Sequence, residues 1–164
     1  MACLVHRYQG PLYGFLLRWC RDAHRAEDMF QEVFLKLVRS RHQFDPRRRF
    51  RPYLYRIALN TLRDAYLVRA TPTEGFEPDA VPEPKPGPLA GAAAAERHAH
   101  VRAAIARLPH HERIVVELRM YQGLTFREVA HAIGVKVPTA KSRMVYALRK
   151  LRPALAVYLP EGDR

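Results

Sequence analysis

Residues 71–88, TPTEGFEPDAVPEPKPGP, hold six prolines, four acids (Glu74, Glu77, Asp79, Glu83) and one lysine. Every proline removes a backbone donor and fixes φ, so no regular helix can cross this stretch. Its few apolar side chains cannot build a core, and an extended, mobile linker is the expectation. The 164-residue chain is thereby cut into two pieces, 1–70 and 96–164, with 71–95 between them. Each piece carries apolar residues at helical spacing. An all-α protein follows: two small helical domains joined by a proline-rich acidic linker.

The C-terminal piece contains the most informative stretch, Leu124 to Leu151, LTFREVAHAIGVKVPTAKSRMVYALRKL. Thr125 with Glu128 three residues on forms a capping box, and Leu124 with Val129 can close a hydrophobic staple. Val129, Ala130 and Ile133 share one face of a short helix that Gly134 stops by adopting a left-handed conformation. Pro138 suits the start of a second helix, where the missing N–H costs nothing. This is the pattern of a helix-turn-helix. In the second helix Ala140, Met144, Ala147, Leu148 and Leu151 form a core stripe. The other side carries Lys141, Ser142, Val145, Tyr146, Arg149 and Arg152, and from Lys141 to Arg152 there are five basic residues and no acid. Such a face suits a major groove, where cations meet phosphates and guanine edges and an aliphatic group can meet a thymine methyl. A basic amphipathic helix that only packs in a bundle is the plainer alternative.

The charge balance points the same way. A net charge of +12 and a pI near 10.3 call for a polyanionic partner, nucleic acid ahead of an anionic membrane. No apolar run approaches the length of a spanning helix, and no signal-peptide pattern opens the chain, so a cytoplasmic protein with no membrane insertion is expected. Cys3 and Cys20 are too few for a disulfide framework or zinc site. His98, His100, His110 and His111 cluster in sequence without a carboxylate or cysteine at ligand spacing, which reads as surface histidine rather than a metal site. No cofactor is called for.

In the N-terminal piece, Leu4, Tyr8, Phe15, Leu16 and Trp19 line a short helix over 1–20, with a break or kink expected at Gly10-Pro11. Ala26 to Arg39 places Met29, Phe30, Val33, Phe34, Leu37 and Val38 on one stripe. The opposite face is Asp28, Gln31, Glu32, Leu35, Lys36 and Arg39. Leu35 is the exception there, an apolar side chain within a charged rim, as in a protein-docking hot spot. Three consecutive arginines, Arg47 to Arg49, follow between Phe44 and Phe50. A helix from Pro52 to about Val68 then turns Leu54, Ile57, Ala58, Thr61, Ala65 and Val68 inward. Tyr53, Arg56, Asn60 and Arg63 line the other side, a ridge suited to stacking and backbone contact with single-stranded DNA. An ordinary solvated face with a half-buried tyrosine is the alternative. Beyond the linker, Val101, Ala104, Ile105 and Leu108 form the buried side of a helix ended at Leu108-Pro109. Another over 111–122 turns Ile114, Val115, Leu118 and Tyr121 inward.

With these motifs laid out, the chain resembles the bacterial extracytoplasmic-function (ECF) sigma factors of the sigma-70 family. AEDMFQEVFLKLV is similar to the family's polymerase-docking helix, and FDPRRRFRPYLYRIALNTLRDAYLVR to its promoter-melting segment. LPHHERIVVELRMYQGLTFREVAHAIGVKVPTAKSRMVYALRKLR resembles its promoter-reading domain. The resemblance implies that Asp28, Gln31, Glu32, Leu35 and Lys36 dock on the clamp coiled coil of the largest subunit of core RNA polymerase, with a second contact to the flap. It implies that Arg47, Arg48, Arg49, Tyr53, Arg56, Asn60 and Arg63 meet the −10 element. It assigns Thr139, Lys141, Ser142, Arg143, Val145, Tyr146 and Arg149 to the −35 element of promoter DNA. The acidic linker would thread toward the active-site and RNA-exit channel, and an anti-sigma factor would restrain the protein. Members usually carry tryptophan where Tyr53 stands and glycine where Pro138 stands.

No nucleophile–base pair, phosphate-binding glycine loop or pocketed carboxylate pair argues for an enzyme. The competing readings are a free-standing helix-turn-helix regulator that dimerises through its N-terminal unit, and a nucleic-acid enzyme using the histidine cluster with a metal. The first would bind a palindromic duplex alone. Metal analysis would settle the second.

Overall fold

The structure, a computed structural model, describes residues 2–67, 92–156 and 158, with side chains described over 6–65, 96–156 and at 158. Val68 and most of the expected linker lie outside the described residues. All described regular structure is helical, in two compact units.

Helices α1 (Ala2–Cys20), α2 (Ala23–Arg39) and α3 (Phe50–Leu67) make the first unit, with α2 packed against both others. Leu12, Phe15, Leu16 and Trp19 of α1, Ala26, Val33 and Leu37 of α2, and Leu54, Tyr55, Ala58, Thr61 and Leu62 of α3 are buried. Phe15 meets Tyr55 edge-on, with ring centroids 5.3 Å apart. Of the break or kink expected at Gly10-Pro11, the break is absent: α1 runs from Ala2 to Cys20 through Pro11. An interior proline costs about 3 kcal/mol. Four large side chains buried immediately after it, at roughly 1.5–3 kcal/mol each, outweigh that.

Asp22 ends the turn and starts α2, its carboxylate accepting from the Arg25 N–H at 2.8 Å. The helix therefore begins three residues before Ala26. Phe50 opens α3, placing Pro52 in the first turn, where its missing N–H is no loss. Tyr55 and Leu62, not expected inward, are fully or nearly fully buried. They widen the inward face of α3 beyond the stripe read from Leu54, Ala58 and Thr61.

The second unit is built largely from α4 (Ala92–Ala106), α5 (His110–Val116), α6 (Phe126–Ile133) and α7 (Val137–Ala156). Ala92 to Ala95, counted with the linker from sequence, open α4. Helix α7 packs against α4 and α5. Ile105, Leu108, Ile114, Val115, Leu118, Leu124, Val129, Ala140, Met144, Ala147 and Leu151 supply its core.

Two expected core residues of this unit are exposed, Tyr121 by 43% and Leu148 by 47%. From Glu117 to Tyr121 the chain widens into a π-helical turn, with the Gln122 N–H reaching the Glu117 carbonyl at 3.2 Å. The wider turn rotates Tyr121 off the inward line set by Ile114 and Leu118. Leu148 fails for a different reason. Ala140, Met144, Ala147 and Leu151 cluster in a narrow arc, and Leu148 lies roughly 70° from its centre. Among the described residues, no helix is long and apolar enough to cross a membrane.

Candidate nucleic-acid and polymerase interfaces

The start of α6 is fixed by the expected capping box. Glu128 accepts from the Thr125 N–H at 2.7 Å and from its hydroxyl at 2.8 Å, while the Glu128 N–H reaches back to that hydroxyl oxygen at 3.3 Å. Leu124 and Val129, the two staple residues, are both buried. Gly134 stops α6 at φ +71°, and the Val135 N–H closes on the Ala130 carbonyl at 3.0 Å. A side chain at that φ would be strained, which is why glycine stands there. Arg119, which no sequence signal singled out, donates to the Leu124 carbonyl at 3.1 Å and lies 5.4 Å from the Phe126 ring centroid. It holds the turn that leads into α6.

Helix α7 begins one residue before Pro138, with the Ala140 N–H bonded to the Lys136 carbonyl at 3.1 Å. Lys141, Ser142, Val145, Tyr146 and Arg149 are exposed, and Thr139 and Arg143 half-buried. Val145 is 49% and Tyr146 52% exposed. The Arg149 guanidinium lies 5.9 Å from the Tyr146 ring centroid, within cation–π range. Ser142 donates its hydroxyl proton to the Thr139 carbonyl at 3.0 Å. An apolar and aromatic ridge thus stands among cations on one helix, whose other side is core.

On α2, Asp28, Gln31 and Leu35 are exposed and Glu32 half-buried. Leu35 is 50% exposed, and Val38, expected in the core stripe, is 39% exposed. The two sit one turn apart, so the apolar surface is larger than sequence suggested. Lys36 is not simply part of the rim. Its ammonium bonds Asp64 of α3 at 3.0 Å and lies 3.9 Å from Glu32.

The arginine loop is locally braced. Asp45 accepts from the Arg47 N–H at 2.9 Å, and its carbonyl accepts from the Arg48 N–H at 2.9 Å. Arg47, Arg48, Arg49, Arg56, Asn60 and Arg63 are all exposed. Tyr53 differs, being half-buried with its hydroxyl bonded to Ser40.

Burial, followed by the charges of Arg113, His111 and Arg143, holds the His110 imidazole below its ordinary pKa. Among the described residues, no group of three or more His, Cys, Asp or Glu side chains is placed to hold a metal ion.

The family of this all-α chain is fixed by comparison with known proteins. Residues 4–71 match sigma-70 region 2, and residues 104–153 match sigma-70 region 4. The chain is 31% identical to the RNA polymerase sigma-H factor of Pseudomonas aeruginosa, over 97% of its own length and 88% of the relative's. It is 31% identical to the ECF RNA polymerase sigma factor RpoE of Cereibacter sphaeroides, covering 92% of this chain and 83% of that one. A solved structure of CnrH in complex with the cytosolic domain of CnrY is similar at a TM-score of 0.69 and 26% identity, covering 95% of this chain and 87% of CnrH. The chain belongs to the sigma-70 family of RNA polymerase sigma factors. Within it, the chain is of the ECF type, a non-catalytic class that directs transcription initiation.

Proposed function

We propose that the two helical regions divide promoter recognition between them, as domains 1–70 and 96–164 joined by the linker 71–95. In this reading α6 and α7 form a helix-turn-helix, with α7 in the major groove of the −35 element. Thr139, Lys141, Ser142, Arg143, Val145, Tyr146 and Arg149 meet bases and phosphates there. The Arg47–Arg49 loop, with Arg56, Asn60 and Arg63, meets the opened −10 strand. Tyr53 belongs to that region. The α2 face of Asp28, Gln31, Glu32, Leu35 and Lys36 docks on the polymerase clamp, and the second domain contacts the flap. The four linker acids give 71–95 an RNA-like charge suited to the polymerase channel.

One observation carries the reading most directly. Val145 and Tyr146 are half-exposed among Lys141, Ser142 and Arg149, on a helix whose opposite side is buried. Solvent alone does not favour that combination, whereas a base-lined, phosphate-flanked groove does. The structural likeness to CnrH, solved bound to the cytosolic domain of CnrY, supports a protein inhibitor of the anti-sigma kind for this chain.

Run-off transcription on a promoter library, with purified core polymerase and with or without this protein, tests the proposal. Transcripts from a defined subset of promoters, only when both are present, are expected. Tight binding to a palindromic duplex without polymerase, and no promoter-specific transcript, would instead favour a free-standing regulator.

A further inference from the structure

Ser40 stands where α2 stops, and its hydroxyl works in two directions. It donates to the Lys36 carbonyl at 2.7 Å and accepts from the Tyr53 hydroxyl at 2.7 Å. The Ser40 carbonyl lies 3.1 Å from the same Tyr53 oxygen. Two acceptors therefore face one phenolic proton, and both hold the ring in the same place. That ring lies against Phe44, with centroids 5.0 Å apart. Phe44 meets Phe50 edge-on at 5.7 Å, and Phe50 meets Tyr8 of α1 at 5.2 Å. Phe44 and Phe50 flank the arginine loop. Both ends of the loop thus rest on a run of four rings, and the Ser40–Tyr53 hydroxyl pair secures one end of that run.

We propose that Tyr53 is a positioning residue for the arginine loop and not the surface on which an unstacked base lies. It fixes Phe44, and through Phe44 the loop, in the shape that meets the single-stranded backbone. The inference rests on the reading above that the loop meets the opened −10 strand. The two roles demand different parts of the side chain. Stacking needs only a π-face, which phenylalanine supplies as well as tyrosine. The lock needs the hydroxyl.

The test uses holoenzyme assembled from core polymerase and the full chain. The probe is a fluorescent single-stranded oligonucleotide carrying the −10 non-template strand of a promoter selected by run-off transcription. Tyr53→Phe is expected to weaken its binding about fivefold, in line with one lost hydrogen bond, and Ser40→Ala by less, because the Ser40 carbonyl still accepts from the Tyr53 hydroxyl. The double variant should be no worse than Tyr53→Phe alone, because that change already removes the hydroxyl that both Ser40 acceptors hold. Ser40→Thr, which keeps a hydroxyl, should restore binding. Core-polymerase affinity and far-UV circular dichroism should stay unchanged, and the thermal midpoint should fall by no more than the several degrees that one hydrogen bond is worth, which separates positioning from a general loss of fold. Wild-type binding by Tyr53→Phe alongside weak binding by Tyr53→Ala would overturn the proposal in favour of stacking. Losses that add in the double variant, or that come with a fall in core-polymerase affinity, would overturn it too. If joint replacement of Arg47, Arg48 and Arg49 by alanine leaves strand binding intact, the underlying reading of the loop fails instead.

Discussion

Lys150, late in α7, holds the carboxylate of Glu112 at 2.7 Å, although Glu112 is only 4% exposed. The other carboxylate oxygen, Oε2, is buried and accepts no hydrogen bond. A buried carboxylate whose close partner is one lysine, with the His111 imidazole farther off at 3.8 Å, depends heavily on that lysine. Lys150→Ala is expected to lower stability by about 1–3 kcal/mol, less than for a fully buried pair because the lysine side chain is half in water. Glu112→Gln in the same chain should recover part of the loss by removing the stranded charge. Urea midpoints at constant m-value measure both. An unchanged midpoint for Lys150→Ala would show that Glu112 is neutral or reached by water.

The exposed Leu35 on α2 bears on docking. Leu35→Asp leaves Ala26, Val33 and Leu37, the buried residues of that helix, untouched. Loss of a central interface leucine costs about 2 kcal/mol or more, a thirtyfold or greater fall in affinity for core polymerase. Far-UV circular dichroism should not change. Undiminished core binding by Leu35→Asp would take that residue out of the interface.

Val145 makes a prediction about the −35 sequence itself. The thymine methyl is the distinctive apolar group on the major-groove edge, and Lys141 and Ser142 lie one turn before Val145 on α7. Replacing each thymine of a selected −35 element with uracil removes only that methyl. One position should lose about fourfold in holoenzyme affinity, the value of one buried methylene-sized group. Val145→Ala should abolish that sensitivity without disturbing the helix. Equal sensitivity in the alanine variant would shift the contact to another residue.

Cys20 gives a pH-dependent signature. Burial, opposed by Arg25 and reinforced by Asp22, raises its thiol from 9.0 to about 11. The folded state therefore holds the proton more tightly than the unfolded one. Its contribution to stability is present below about pH 9 and is lost as pH rises toward 11. At pH 8 the thiolate fraction is about a hundredfold below that of an unfolded cysteine. In a Cys3→Ser background, iodoacetamide should label Cys20 slowly in buffer and rapidly in urea. Equally fast labelling in both would show that the thiol is not shielded.

The sequence alone determined what is decided within one helical turn. Thr125 with Glu128, the left-handed Gly134 and the apolar stripes were legible because caps and spacings act over three or four residues. So were the all-helical character and the promoter-factor motifs. Tertiary structure alone decided the rest. Ser40 meets Tyr53 across 13 residues, Lys36 meets Asp64 across 28, and Glu112 meets Lys150 across 38. Periodicity shows which face of a helix is apolar, but not which neighbour covers it or how wide the covered arc becomes. That is why Leu148 was expected inside and is half exposed, while Tyr55 and Leu62 are buried; Tyr121 is carried outward by the π-helical turn instead. Pro11 follows the same logic. A local rule predicts a break, and only the burial of Leu12, Phe15, Leu16 and Trp19 against the other helices of the unit supplies enough free energy to override it.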